Sequence, residues 1–322
     1  MSTLNVDVEL LRRFERGLDP RAPERGAVPA RVLGYGEMST VLAIGGAGAA
    51  PLAYKRLPMF HSVAEAQQYA GLHRAYVDAL SRDVGLRLVP SDLVWLAPER
   101  SGPVVLYIVQ EQLPASAVGH RAIRALAPAA VQRLARAVLR ELQRVFAFNH
   151  AHRGQLEVAI DGQISNWALA SGPATPAGGG EIDLLYFDTS TPQMRRRGVE
   201  QLDPELFLRS SPSFLRWIVR RLFLPEVVSR YYDARQVAVD LVANFYKEQR
   251  PELVPPLVET VNEWLAAAPG AIRPVTVEEI RSYYRSDIWI WRTYLALRKI
   301  DRRLHQLRGR EYPYILPAHI KR

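Results

Sequence analysis

The order Asp161, Asn166, Asp188 constrains this chain more than any other feature. The first two stand five positions apart in Ile160-Asp161-Gly162-Gln163-Ile164-Ser165-Asn166-Trp167, and the third ends the apolar stretch Tyr186-Phe187-Asp188. A carboxylate at Asp161 can accept a hydroxyl proton and orient the attacking oxygen, and the amide oxygen of Asn166 can ligate magnesium from the same loop. Asp188 would emerge at a strand's end, where a second oxygen ligand would bridge metal to phosphates. Each has a plain structural alternative: Asp161-Gly162 is an ordinary turn, and Asp188-Thr189-Ser190-Thr191-Pro192 is rich in capping residues.

With 322 residues, 48% of them apolar, the chain can bury a sizeable core and has room for one two-lobed domain or two small ones. No apolar run reaches the length of a membrane span, and the N-terminus alternates charge with apolar positions, so the expectation is a soluble, cytoplasmic protein. The sequence has no cysteine, which removes disulfides, thiolate metal sites and thiol nucleophiles together. A bound metal would therefore be held mainly by oxygen, which favours magnesium. The net charge of +9 sits at one end: residues 281–322 hold eleven Lys or Arg against three Asp or Glu. Such a surface could dock an acidic substrate, nucleic acid or lipid headgroups, or be the solvated face of one long helix.

Along the chain, residues 4–18 read as an amphipathic helix with Val8, Leu11, Phe14 and Leu18 on one stripe, followed by a Pro/Arg/Gly connector. Strands are expected at 30–33, 40–44, 52–57, 86–96 and 104–110, with a helix at 62–80 between the third and fourth. A crossover at 113–120 leads to a helix from Pro128, and short strands are expected at 156–160, 167–170 and 182–187. Residues 171–180 read as a hairpin loop. Helices at 213–230, 234–247, 251–268 and 275–307 complete the chain. In the last, Tyr284, Ile288, Trp291, Leu295, Leu297, Ile300, Leu304 and Leu307 form the expected buried stripe, leaving Arg298, Lys299, Arg302 and Arg303 exposed. The aromatics follow that stripe and give no base-stacking platform, which argues against nucleic acid.

Upstream, Gly34-Tyr35-Gly36-Glu37-Met38-Ser39 lies between two strands, where a glycine turn can bring backbone N–H groups to phosphates or simply close a hairpin. Lys55 sits in an apolar strand. The chain has only four lysines among forty-two Lys and Arg, and a compact ammonium suits phosphate as a point charge. Glu65, in the following helix, can pair with Lys55. It also completes a capping box with Ser62, and would then turn back to its own helix start.

Taken in this order, the features resemble the protein-kinase-like superfamily, in its small-molecule branch of aminoglycoside phosphotransferase and choline kinase type. The phrases Asp-Gly-Gln-Ile-Ser-Asn-Trp and Phe-Asp-Thr-Ser-Thr-Pro are similar to those of a bacterial kinase-like family. The resemblance implies an α+β, bilobal protein-kinase-like fold: an N-terminal helix and linker (1–29), a small β-rich lobe (30–112) and a large, mostly helical lobe (113–322). It implies that Gly34, Gly36 and Ser39 form a nucleotide lid, that Ala53 touches the adenine and that Gln110, Glu111 and Gln112 form the hinge. Lys55 would bind the α- and β-phosphates and Glu65 would brace it. Asp161 would be the catalytic base, with Asn166 and Asp188 as metal ligands. Two departures stand out: Ala159 replaces a common histidine, and Thr189 follows Asp188 where glycine is usual. The chain also has no Ala-Pro-Glu anchor after Asp188, which shifts the expected acceptor from peptide to a small hydroxylated molecule.

The function expected from the resemblance is ATP- (or GTP-) and magnesium-dependent phosphorylation of a small-molecule hydroxyl. The alternatives are a kinase-like nucleotide-binding scaffold without turnover and a nucleotidyl transferase. An anionic partner at the basic C-terminus is a further expectation.

Overall fold

A computed structural model describes residues 4–36, 38–46, 51–99, 102–172, 180–212, 214 and 229–318. The architecture is α+β, with a β-rich N-terminal part and a mostly helical C-terminal part, the bilobal arrangement expected of a protein-kinase-like fold.

The small lobe is a five-stranded antiparallel sheet of order β1-β2-β3-β5-β4, formed by β1 (Ala30–Tyr35), β2 (Thr40–Ile44), β3 (Leu52–Phe60), β4 (Ser91–Leu96) and β5 (Val104–Glu111). Side chains alternate across a strand, and β5 divides accordingly. Leu106 and Ile108 face helix α2 (Val63–Asp78), while Val105, Tyr107 and Val109 face helix α1 (Val8–Gly17). Asp7 caps α1 by accepting the Leu10 N–H at 2.9 Å, and the helix seals the sheet with Leu11 and Phe14, 0% and 2% exposed. Burying two such side chains contributes about 1.5–3 kcal/mol each. The same alternation in β3 sends Arg56 to the α1 face, where it donates to Glu15 and to the Pro313 carbonyl, and Lys55 to the opposite face.

Past β5, helices α3 (Gly119–Ala125) and α4 (Pro128–Ala151) lead to β6 (Leu156–Val158), β7 (Trp167–Leu169) and β8 (Leu184–Tyr186). β7 and β8 pair antiparallel, Trp167 with Tyr186 and Leu169 with Leu184. The segment after α2 joins this hairpin, with Tyr186 N–H donating to the Arg87 carbonyl at 2.9 Å and Val89 N–H to the Tyr186 carbonyl at 3.0 Å. The strand that ends just before Asp188 is thus tied to the root of α2. Helices α6 (Ala234–Lys247), α7 (Val254–Ala266) and α8 (Val277–Leu307) complete the helical part, packed on α4 around Val138, Leu142, Val242, Phe245 and Leu257.

Several elements differ from expectation. Residues 91–96 alone form β4, the preceding residues being the tether to β8. The expected crossover at 113–120 holds a short 3-10 turn, Ala115–Ala117, and the start of α3. A hairpin, β9 (Met194–Arg196) and β10 (Val199–Glu200), pairs with β6, and α5 (Glu205–Ser210) follows it. Most of the expected helix at 213–230 and most of the loop at 171–180 lie outside the described residues. In α8 the buried positions are Ile280, Leu295, Arg298 and Asp301, whereas Ile300 and Leu307 are exposed at 47% and 84%. Arg298 is covered by residues 312–314: its guanidinium lies 4.9 Å from the Tyr314 ring centroid and donates to the Tyr312 hydroxyl at 3.2 Å. Lys299 donates to the Ala318 carbonyl. The expected cationic face is therefore only partly present, because two of its four members hold the C-terminal segment. Among the described residues no helix is long and apolar enough to cross a membrane.

Candidate active site

Asp188 meets Lys55 where the two lobes face each other. The Lys55 ammonium donates to Asp188 Oδ1 at 2.6 Å and to Ser190 Oγ at 2.8 Å, and the Ser190 hydroxyl donates to the same carboxylate oxygen at 2.8 Å. Burial pushes the Asp188 carboxyl up, but Lys55 beside it and the two Ser190 donors outweigh burial and hold it below the usual carboxylate range.

Helix α2 grips the segment that carries Asp188. The Tyr69 hydroxyl donates to the Ser190 carbonyl at 2.8 Å, and His73 Nε2 bonds Thr189 Oγ1 at 2.9 Å. The Tyr76 hydroxyl donates to the Ala159 carbonyl at 2.6 Å. Residues 69, 73 and 76 share one helix face, being three and four apart. These contacts meet the two departures seen in the sequence: Thr189 is the partner of His73, and the backbone at Ala159 is fixed by Tyr76. Burial, followed by the charges of Lys55 and Arg74, pushes the His73 imidazole down to about 4, so it is a neutral hydrogen-bonding group.

The loop of Asp161 is built from the other side. Gln163 N–H donates to Asp161 Oδ1 at 3.0 Å, and the Asn166 side-chain amide donates to the Asp161 carbonyl at 3.2 Å. With its nitrogen so engaged, the Asn166 amide oxygen is turned away from that carbonyl. Gly162 is required by close approach: a Cβ there would lie 2.7 Å from Val237 Cγ1 of α6. The Gln163 side chain joins the loop to α6, donating to Asp240 Oδ2 at 3.0 Å and accepting from Asn244 Nδ2 at 3.0 Å and Lys247 Nζ at 3.3 Å. Burial, then the nearby charge of Asp240, pushes the Asp161 carboxyl up to about 7; Gln163 N–H and Lys247 oppose the shift.

Among the other expected residues, Gly36 N–H donates to the Ser39 carbonyl at 2.9 Å, closing the tight turn between β1 and β2, and Gly34 pairs with Val41 beside a bulge. Ala53 pairs with Gln110, and Leu52 with Glu111. The Gln110 side chain donates to the Phe187 carbonyl at 3.1 Å, so this end of β5 holds the approach to Asp188; Gln112 N–H donates to the Pro51 carbonyl. Glu65 corrects the expected Lys55–Glu65 pair. Its carboxylate accepts from Arg209 at 2.6 and 2.7 Å and from the His61 N–H at 2.6 Å, while Ser62 Oγ accepts the Glu65 N–H. Ser62 caps the helix, the Glu65 carboxylate turns back to the His61 N–H one residue before the cap, and Arg209 of α5 takes the charge, leaving Asp188 as the carboxylate partner of Lys55.

Residues the sequence reading left out are His73, Ser190, Gln163, Asp240 and Lys247. Two carried a usable signal. Lys247 is another of the four lysines, and Asp240 interrupts the otherwise apolar run from Val237 to Val242.

Two protein oxygens, from Asp188 and Asn166, suit a cation that keeps most of its shell as water and phosphate, as magnesium does. Among the described residues no group of three or more His, Asp or Glu could hold a metal ion.

Residues 21–302 match the model of a family described as a family of unknown function, DUF6206. The chain belongs to that family. No curated protein matches it. Among solved structures it is similar to the kinase domain of maize sucrose-induced receptor kinase 1 bound to AMP-PNP, at 14% identity and a TM-score of 0.45, over 88% of this chain and 96% of that one. It is also similar to WaaP in complex with acyl carrier protein, at 14% identity and a TM-score of 0.33, over 80% of this chain and 98% of that one.

Proposed function

We propose that this DUF6206 chain transfers the terminal phosphoryl group of ATP or GTP to a hydroxyl of a small-molecule acceptor. The observation that carries the reading is the meeting of Lys55 and Asp188 at 2.6 Å, with Asn166 bonded at 3.2 Å to the backbone of the residue proposed as base, Asp161. A phosphate-binding cation, a metal-ligating carboxylate, an amide oxygen and a base are the groups phosphoryl transfer needs, since its catalysis is mostly positioning and charge stabilisation.

Asp161 accepts the proton of the acceptor hydroxyl as its oxygen forms a bond to phosphorus, and the bond to the leaving nucleoside diphosphate breaks. Lys55 exchanges part of its contact with Asp188 for nucleotide phosphate. The turn that the Gly36 N–H closes on the Ser39 carbonyl lies over the phosphates, and Ala53 with Gln110–Gln112 flanks the base. Asp188 and Asn166 would hold magnesium, which supplies neutralisation of phosphate charge.

The test is calorimetric titration with AMP-PNP, with and without magnesium, on the wild type and Asp188→Ala. Binding that needs magnesium and is lost in the variant is expected; no binding by the wild type sinks the reading. One observation favours a second reading, a nucleotide-binding scaffold without transfer: Glu65 is committed to Arg209 and Lys55 closes on Asp188 itself. Magnesium-dependent binding with no phosphorylated product from a panel of hydroxylated acceptors would select it. Nucleotide appearing covalently on a partner, seen by mass spectrometry, would instead select nucleotidyl transfer.

A further inference from the structure

The exposed side of α8 combines two properties that the buried packing does not use. Arg285, Trp289, Arg292, Ala296, Ile300, Arg303 and Leu307 are all exposed. At about 100° per residue they fall within about 80° of one another around the helix axis. Trp289, Ile300 and Leu307 are 69%, 47% and 84% exposed. From Arg285 to Leu307 the stripe runs about 33 Å at ~1.5 Å per residue. None of its seven positions is acidic. Three large apolar side chains interleaved with three guanidinium groups along one straight line are poorly matched to water.

We propose that this stripe is a peripheral docking surface for an anionic phospholipid bilayer, on which α8 lies in the plane of the interface. Trp289, Ile300 and Leu307 enter the boundary between headgroups and acyl chains, and Arg285, Arg292 and Arg303 meet the phosphate and carboxylate headgroups. A tryptophan suits this depth, having an apolar body and one polar N–H. Charge complementarity selects the occupant, because a row with three cations and no acid needs an anionic surface. The aliphatic members select a bilayer over nucleic acid, which offers Ile300 and Leu307 no apolar phase and only Trp289 a base to stack on. The stripe is a different face of α8 from the one that carries Arg298 and Asp301, so docking leaves the packing of residues 312–316 intact.

The experiment is co-sedimentation of the full chain with vesicles of phosphatidylcholine alone and of phosphatidylcholine mixed with phosphatidylserine, at low and high salt. The wild type is expected to pellet with the mixed vesicles only, and less at high salt. The triple variant Arg285→Gln, Arg292→Gln, Arg303→Gln should partition roughly 100-fold more weakly, by tenfold or less for each charge removed. The pair Trp289→Ser, Leu307→Ser should also lose binding while its circular-dichroism melt stays that of the wild type, since both side chains are exposed. Failure of the folded wild type to pellet with mixed vesicles at low salt overturns the proposal. So does equal pelleting of either variant, or binding to an RNA oligonucleotide or polyglutamate without binding to vesicles.

Discussion

His73 is uncharged at neutral pH and therefore contributes a hydrogen bond without competing with Lys55 for Asp188. Thr189 is 2% exposed, so His73→Phe strands a buried hydroxyl and should cost about 1–3 kcal/mol in a denaturant melt. The same residue gives stability a pH dependence. Its folded-state pKa, about 4, lies below its ordinary value of 6.5, so the unfolded chain binds more protons between the two. This contribution is present above pH 6.5 and lost as pH falls through 4. In His73→Phe the slope of stability over that window should shrink; an unchanged slope would rule out a buried neutral imidazole. Asp161 titrates the other way. Its carboxyl is raised from 3.8 to about 7; as the proposed base it would have to be ionised to accept a proton, and kcat/KM should then rise through an acid limb near pH 7. Asp240→Asn removes a neighbouring negative charge and keeps an oxygen for Gln163. It should move that limb to lower pH, and a limb that stays in place would show that Asp240 does not act on Asp161.

Between elements, a buried ion pair joins α1 to β3. The Arg56 side chain is 5% exposed and bonds Glu15 through two nitrogens, at 2.7 and 2.8 Å, while the Tyr107 hydroxyl donates to the same carboxylate. Glu15→Ala leaves a buried guanidinium without its counter-ion and should destabilise the protein by about 3–5 kcal/mol, whereas Arg56→Met with Glu15→Leu should recover much of that loss. If urea melts show the single variant within about 1 kcal/mol of wild type, the pair is as weak as an exposed ion pair. How far such elements could be read in advance depends on the range of the interactions that define them. Strands β2, β3 and β5 and helix α2 were legible because alternation and the Ser62–Glu65 capping box are local. The β9–β10 hairpin was not: its turn is Arg197-Gly198, with φ of 51° and 75°, and an arginine in the left-handed region gives no Asn-Gly signature. Nor was the inner face of α8, because Arg298 is buried by tyrosines that follow the helix. At the candidate site, Asp161, Asn166, Asp188 and Lys55 were singled out by order along the chain, and the structure brings Lys55 to Asp188 and Asn166 to Asp161. The partner of Glu65 was not, since Arg209 lies 144 residues away.

Across the whole molecule, the hydrophobic interior divides. One cluster fills the helical part, and two flank the small-lobe sheet, each completed by a chain end. Tyr312, Tyr314 and Leu316 join the α2 side together with Leu295 of α8, while Ile315 joins Leu11 and Phe14 on the α1 side. The tail also reaches the glycine turn: Thr40, next to Ser39, donates its hydroxyl to the Ile315 carbonyl at 3.3 Å. The small lobe is thus stabilised from both ends of the chain, while the helical cluster includes neither the N-terminal helix nor residues 312–316. Opening should follow this division, because cooperative units track packed clusters. The double variant Tyr312→Ala, Tyr314→Ala removes two buried rings, at about 3 kcal/mol each, from one cluster only. Hydrogen exchange followed by mass spectrometry should then show lost protection at 40–44, 52–60 and 104–111, with 237–245 in α6 close to wild type. If nucleotide binds over the glycine turn, affinity for AMP-PNP should fall in the same variant and be partly recovered on cooling, as the tail re-docks. Uniform loss of protection through α6 would mean that the lobes open as one unit and that the tail contributes to the whole fold.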